Sequence, residues 1–93
     1  RRGWPDDLAR IVYIDRYGNL VSGHRARDVP ATAAISIGRH QIAHGATFSA
    51  VPPSTTFWYA NANGLIEIAV NQGRADAELG VSVGARLEIS NAG

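Results

Sequence analysis

Cysteine, methionine and lysine are all absent from this 93-residue chain. Without cysteine, no disulfide staples the fold and no thiolate metal site exists, which fits a reducing compartment, so a cytoplasmic location is expected. No apolar run approaches the ~20 residues of a membrane-spanning helix and no charged-then-apolar leader opens the chain, so the expectation is a soluble domain with no membrane partner. Charge of one sign is scarce too: the formal net charge is +1, although all nine basic residues are arginine. That balance argues against a nucleic-acid partner held by phosphate neutralisation. The exclusive use of arginine, beside many Ala and Gly, reads as coding bias. Because residue 1 is Arg and methionine is missing, the expectation is a fragment, a processed product or a recombinant piece that another domain once preceded.

What is present is a β-rich pattern on a single core. A chain of this length buries roughly 60% of its unfolded surface and makes one domain. Residues 1–8, RRGWPDDL, are polar apart from Trp4 and contain Pro5, so they read as a linker or lead-in segment, with the domain proper at 9–93. Short β-forming runs follow at 10–15, 19–22, 33–37, 41–43, 56–60, 65–70 and 86–90. Clusters of Gly, Pro, Asn and Asp separate them at the spacing of an all-β barrel or sandwich, and a small closed or partly closed antiparallel barrel is the preferred architecture. One short helix is expected at 74–79, ending at Gly80, and VPPST at 51–55 reads as a rigid surface turn.

Few residues carry chemistry of their own. His40 and His44 stand four apart, which serves a metal on a helix face, but GRHQIAHG reads as strand and turn, and with His24 in a separate segment no metal site is expected. HRARD at 24–28 reads as a solvated loop in preference to a phosphate patch. No Gly-x-Ser-x-Gly elbow occurs, and Glu67 and Glu88 alternate with apolar neighbours as outward strand residues do. Aromatic residues are the strongest cluster: Tyr17, Phe48, Phe57, Trp58 and Tyr59. Adjacent rings in FWY must point to opposite faces of a strand, so at least one lies outside the core, against a partner domain, a flat ligand or a barrel end. In IVYIDRYGNLV, two β runs flank a polar corner in which Gly18 can take a positive φ and Asn19 tolerates a tight turn. Hairpin geometry does not account for Tyr17.

Two blocks, YIDRYGNLVS and NANGLIEIAVNQGRADAELGVSVGARLEI, carry a resemblance. With Tyr-Gly-Asn, Thr-Phe, Asn-x-x-Gly and Val-Asn-Gln-Gly in order, the chain resembles the C-terminal domain of the S-adenosylmethionine-dependent hydroxide adenosyltransferases, the family that also holds the fluorinase and the chlorinase. The resemblance implies a β-barrel that follows a larger N-terminal α/β domain. It further implies a homotrimer in which each active site lies between one subunit's C-terminal domain and the N-terminal domain of its neighbour. S-adenosylmethionine would be substrate, no separate cofactor being implied, and would be split by water or hydroxide at the ribose C5′ into adenosine and methionine. No catalytic residue would fall in this chain, so the piece by itself would be inactive. As binding residues the resemblance implies Tyr17 along the adenine, Asn19 on its edge through an amide with both donor and acceptor, and Phe48 as a second adenine ring. It also implies the main chain of Val70, Asn71 and Gln72 along the same edge, and Asn61 and Asn63 towards the methionine end.

The chain departs from the family pattern in places. Ala62 stands where relatives have a serine whose hydroxyl helps hold the methionine carboxylate, and Asn63 stands where the halogenating branch can have arginine, so a charge-assisted bond is lost. Ser22-Gly23-His24 replaces Thr-Asn-Ile after the corner, and Arg74 replaces a small residue, which reads as a harmless surface change. Alternatives are a stand-alone barrel that binds without catalysis, an oligomerisation module using its exposed rings, and an oligonucleotide-binding barrel, which the near-neutral charge disfavours.

Overall fold

The computed structural model describes residues 8–27, 29–45 and 53–90. Seven strands and one short helix follow in the order β1 (Leu8–Ile14), β2 (Leu20–Arg25), β3 (Ala34–Ile37), β4 (His40–His44), β5 (Thr56–Ala60), β6 (Leu65–Val70), α1 (Ala75–Leu79) and β7 (Leu87–Ser90). They form one sheet in the spatial order β1-β2-β6-β5-β4-β3-β7. Neighbours are antiparallel except for the parallel pair β4 and β5, with Ala43 opposite Phe57 and His44 opposite Trp58. The sheet curls until its edges nearly meet. Arg10 bridges Arg86, Ile11 N–H donates to the Ala85 carbonyl at 2.8 Å, and Gly84 N–H donates to the Ile11 carbonyl at 2.7 Å. The all-β, partly closed barrel with one short helix is therefore what the chain forms.

Strand alternation builds the core. Ile35 and Ile37 of β3, Ile42 of β4, Trp58 of β5, Ile66, Ile68 and Val70 of β6, and Leu87 of β7 all point inward and are buried. Each such aliphatic side chain contributes about 1.5–3 kcal/mol relative to exposure. Trp58 occupies the middle, and its indole N–H donates to the Ala33 carbonyl at 3.0 Å, so its one polar atom is satisfied. As the FWY triplet requires, Phe57 and Tyr59 face the other way, with ring centroids 5.8 Å apart.

Two local readings change. Residues 24 and 25, the first two of HRARD, belong to β2, because β2 is paired on one side with β1 (Leu8 opposite Gly23) and on the other with β6 (Arg25 opposite Leu65). Neighbours on both flanks extend the strand past the point where composition suggests a loop. Glu67 does point away from the core, but it is only 8% exposed, since its own face of β6 is covered as well. His40 and His44 sit at the two ends of β4, about 13 Å apart along an extended strand. His44 packs edge-on against Trp58 at 4.6 Å.

Candidate functional site: a clamped hairpin corner and the outer sheet face

The corner between β1 and β2 is set from inside by Asp15. Its Oδ1 accepts the N–H of Tyr17 at 2.9 Å and that of Asn19 at 3.0 Å, while its main-chain carbonyl accepts the Gly18 N–H at 2.9 Å. A short carboxylate does this well because it reproduces a backbone turn. Gly18 has φ +84°, and a Cβ there would lie 2.7 Å from both Arg74 Cβ and Asp76 Oδ1, so conformation and space both demand glycine. The turn directs Tyr17 outward: it is 65% exposed, and the Arg16 guanidinium carbon lies 5.3 Å from its ring centroid. Asn19 is half-buried at the foot of β2.

From outside, the corner rests on the segment after β6. Arg74 donates from Nε and one terminal nitrogen to the two Asp76 carboxylate oxygens, at 3.1 and 3.0 Å, and from the other to the Arg16 carbonyl at 2.9 Å. Asp76 N–H donates to the Gly18 carbonyl at 3.0 Å. The bonds from Arg74 hold the Asp76 carboxyl below the usual carboxylate range. Arg74 is thus no harmless surface change: it ties two segments together. Its reach to a main-chain carbonyl 58 residues away leaves no mark in the sequence.

Val70, Asn71 and Gln72 come to the same end. Leu20 lies opposite Ile68 and Thr56 opposite Val70, so the close of β6 arrives level with the corner. The Val70 carbonyl accepts the Gly73 N–H at 3.1 Å, and Asn71 exchanges main-chain bonds with Ser54 and Thr55 at 2.7 and 2.9 Å. Gln72 is exposed, with φ +62°, and makes no main-chain bond among the described residues.

Asn61 and Asn63 lie at the opposite end. β5 runs away from the corner end and β6 returns, which places the 61–64 turn about 16 Å off along the strand. The Asn61 side-chain oxygen accepts the N–H groups of Asn63 at 2.9 Å and Leu65 at 3.0 Å, and its nitrogen donates to Glu67 Oε1 at 3.0 Å. Asn63 is exposed at the tip. Between the two ends runs a row on the outer face: Tyr13 opposite Val21, Val21 opposite Glu67, Glu67 opposite Tyr59. Glu67 Oε2 accepts the Tyr59 hydroxyl at 2.7 Å. Burial, and then the bond and charge of Glu67, raise the Tyr59 phenol above its ordinary value. This network went unread in the sequence, where its one trace is a Glu at an outward strand position. Phe48 lies outside the described residues.

A small, nearly closed β-barrel with a braced aromatic corner at one end and an asparagine turn at the other is the architecture of this chain. The chain belongs to the SAM hydroxide adenosyltransferase C-terminal domain family, whose model matches residues 9–88. It is similar to the (R)-S-adenosyl-L-methionine hydrolase of Thermus thermophilus, 30% identical over 74 residues, which are 80% of this chain and 28% of that protein. It is 27% identical over 85 residues to the hydrolase of the same description from Salinispora arenicola, covering 88% of this chain and 32% of the relative. Among solved structures, a conserved hypothetical protein from Thermus thermophilus superposes with a TM-score of 0.77 at 30% identity, over 86% of this chain and 33% of that one. An uncharacterized conserved protein from Thermotoga maritima gives 0.76 at 25% identity, over 88% and 34%. The chain spans about a third of the length of the curated relatives.

Proposed function

We propose that this barrel is the adenosine-binding C-terminal domain of an S-adenosylmethionine hydrolase that releases adenosine and methionine. The observation that carries the reading is the corner at residues 17–19, fixed beside the end of β6. Arg16 lies over one face of the Tyr17 ring, which is 65% exposed, and in this reading the base stacks on the other face. Asn19 offers its amide to the adenine edge, and of the 70–72 segment at the same end it is Gln72 whose main chain meets the base, since Val70 and Asn71 bond to Gly73, Ser54 and Thr55. Phe48 supplies a second ring. The methionine end of an extended substrate then runs along the outer face towards Asn63, with Asn61 shaping the turn rather than reaching out, since its amide is committed to Asn63, Leu65 and Glu67.

In the reaction, water or hydroxide attacks the ribose C5′ and the C–S bond breaks. Its electron pair goes to sulfur, the sulfonium becomes the neutral thioether of methionine, and the attacking oxygen ends as the 5′-hydroxyl after losing any extra proton. A sulfonium leaves readily, so positioning and desolvating the nucleophile are what the protein must supply. Those groups belong to the N-terminal α/β domain of a neighbouring subunit in a homotrimer. The present domain recognises the nucleoside and walls off water.

Adenosine titrated into this chain should shift the amide resonances of residues 17–19, 48 and 70–72. Tyr17→Ala should weaken binding by about 1–3 kcal/mol, the scale of one ring stacked on a base. In the full-length enzyme Tyr17→Ala and Asn19→Ala should raise KM more than they lower kcat. A large loss of turnover at saturating substrate with affinity unchanged would count against the proposal.

A further inference from the structure

Resting on that reading, we propose that Arg74 is a positioning residue: held on Asp76, it presets the 16–19 corner to receive the base before any ligand arrives. Tyr17 stands outside the buried core and is 65% exposed, with the Arg16 guanidinium carbon 5.3 Å from its ring centroid. What aims it is the backbone on either side. The carbonyl before it, on Arg16, is held by Arg74; the N–H after it, on Gly18, is held by the Asp15 carbonyl, and the Gly18 carbonyl one peptide further on by Asp76 N–H. From the inner side Asp15 holds the N–H groups of Tyr17 and Asn19. The peptide groups flanking the ring are thus gripped from two directions, and Gly18 has no spare volume in which to move towards Arg74.

An exposed Arg–Asp pair adds little to global stability, and here the side chains are 51% and 25% exposed. The fork matters for another reason. Two of its nitrogens fix it on Asp76, and the remaining one is then already ordered when it meets the Arg16 carbonyl, a geometry that a lysine ammonium does not reproduce. A corner ordered in advance has less conformational freedom to lose on binding, and ordering one or two side chains and their backbone accounts for about 3- to 10-fold in affinity.

The test uses this chain with Arg74→Ala, Asp76→Ala, the double variant and Arg74→Lys. Measurements are adenosine affinity, amide hydrogen exchange at Gly18 and Asn19 without ligand, and the urea midpoint. Arg74→Ala should raise the adenosine Kd about 3- to 10-fold and speed exchange at both amides, with the midpoint nearly unchanged. Asp76→Ala should do the same, the double variant should be no worse than either single change, and Arg74→Lys should recover only part. Unchanged affinity and exchange in Arg74→Ala, or a midpoint that falls in step with affinity, would overturn the positioning role. If the unaltered chain binds no adenosine, the nucleoside reading fails by itself. Exchange at Gly18 and Asn19 then still decides the clamp, faster exchange in Arg74→Ala supporting it and unchanged exchange refuting it.

Discussion

Tyr59 donates its hydroxyl to a carboxylate that is itself nearly out of water, and the pairing has a pH signature. Its folded-state phenol is raised above the ordinary value, first by burial and then by Glu67. The unfolded chain therefore gives up this proton at a lower pH than the folded one, from about pH 10. The contribution is intact below that point and is lost as pH rises through the folded value. The urea midpoint should fall between pH 9 and pH 11 in the unaltered chain, and more gently in Tyr59→Phe. Equal slopes would mean that the bond does not survive in solution. Outward placement of Glu67 could be read from alternation along LIEIAV, but its partners could not, because Tyr59 and Asn61 reach it only once β5 and β6 are in register.

At the scale of elements, the β1–β2 hairpin was the most legible part of the chain and its brace the least. Tyr-Gly-Asn between two β runs announced a turn at Gly18, and Gly80 in the left-handed conformation ends α1 where the sequence placed its stop. Gly18→Ala should cost at least about 1–2 kcal/mol for the left-handed backbone alone. The added methyl also strikes Arg74 and Asp76, so the loss should exceed that of alanine at Gly38, which has positive φ too but nothing within 4 Å of where its methyl would sit. Urea denaturation of the two variants makes the comparison, and equal losses would mean that the corner yields to the extra carbon. Strand lengths were harder to read, as β2 shows: a strand's end depends on which neighbours flank it.

Across the whole molecule, alternation and turn chemistry indicated a barrel but not the order of its strands. No local signal announces that β4 and β5 run parallel, or that β6 inserts between β2 and β5. That order also sets the distance between Asn61 and Asn63 and the Tyr17–Asn19 corner, which the motifs assign to two ends of one ligand without giving their separation. Trp58 holds the arrangement across the barrel, since its indole N–H on β5 reaches the Ala33 carbonyl ahead of β3. Trp58→Phe removes that donor and leaves a void, which should cost about 2–4 kcal/mol in urea or thermal unfolding. A loss under about 1 kcal/mol would indicate that the neighbours close over the gap.

The sheet holds three hairpins, β1–β2, β3–β4 and β5–β6; the β4–β5 seam joins consecutive strands, whereas the β2–β6 and β3–β7 seams join strands distant in sequence. Hairpins of this kind form in microseconds, whereas distant seams must first close long loops against chain entropy. The inner half of the corner, built on Asp15, belongs to the fast class; the outer half, built on Arg74, waits for the slow one. The complete corner therefore exists only on a chain whose β2–β6 seam has closed. On the proposed reading, a nucleoside bound there would by mass action draw the population towards chains in which that seam is closed.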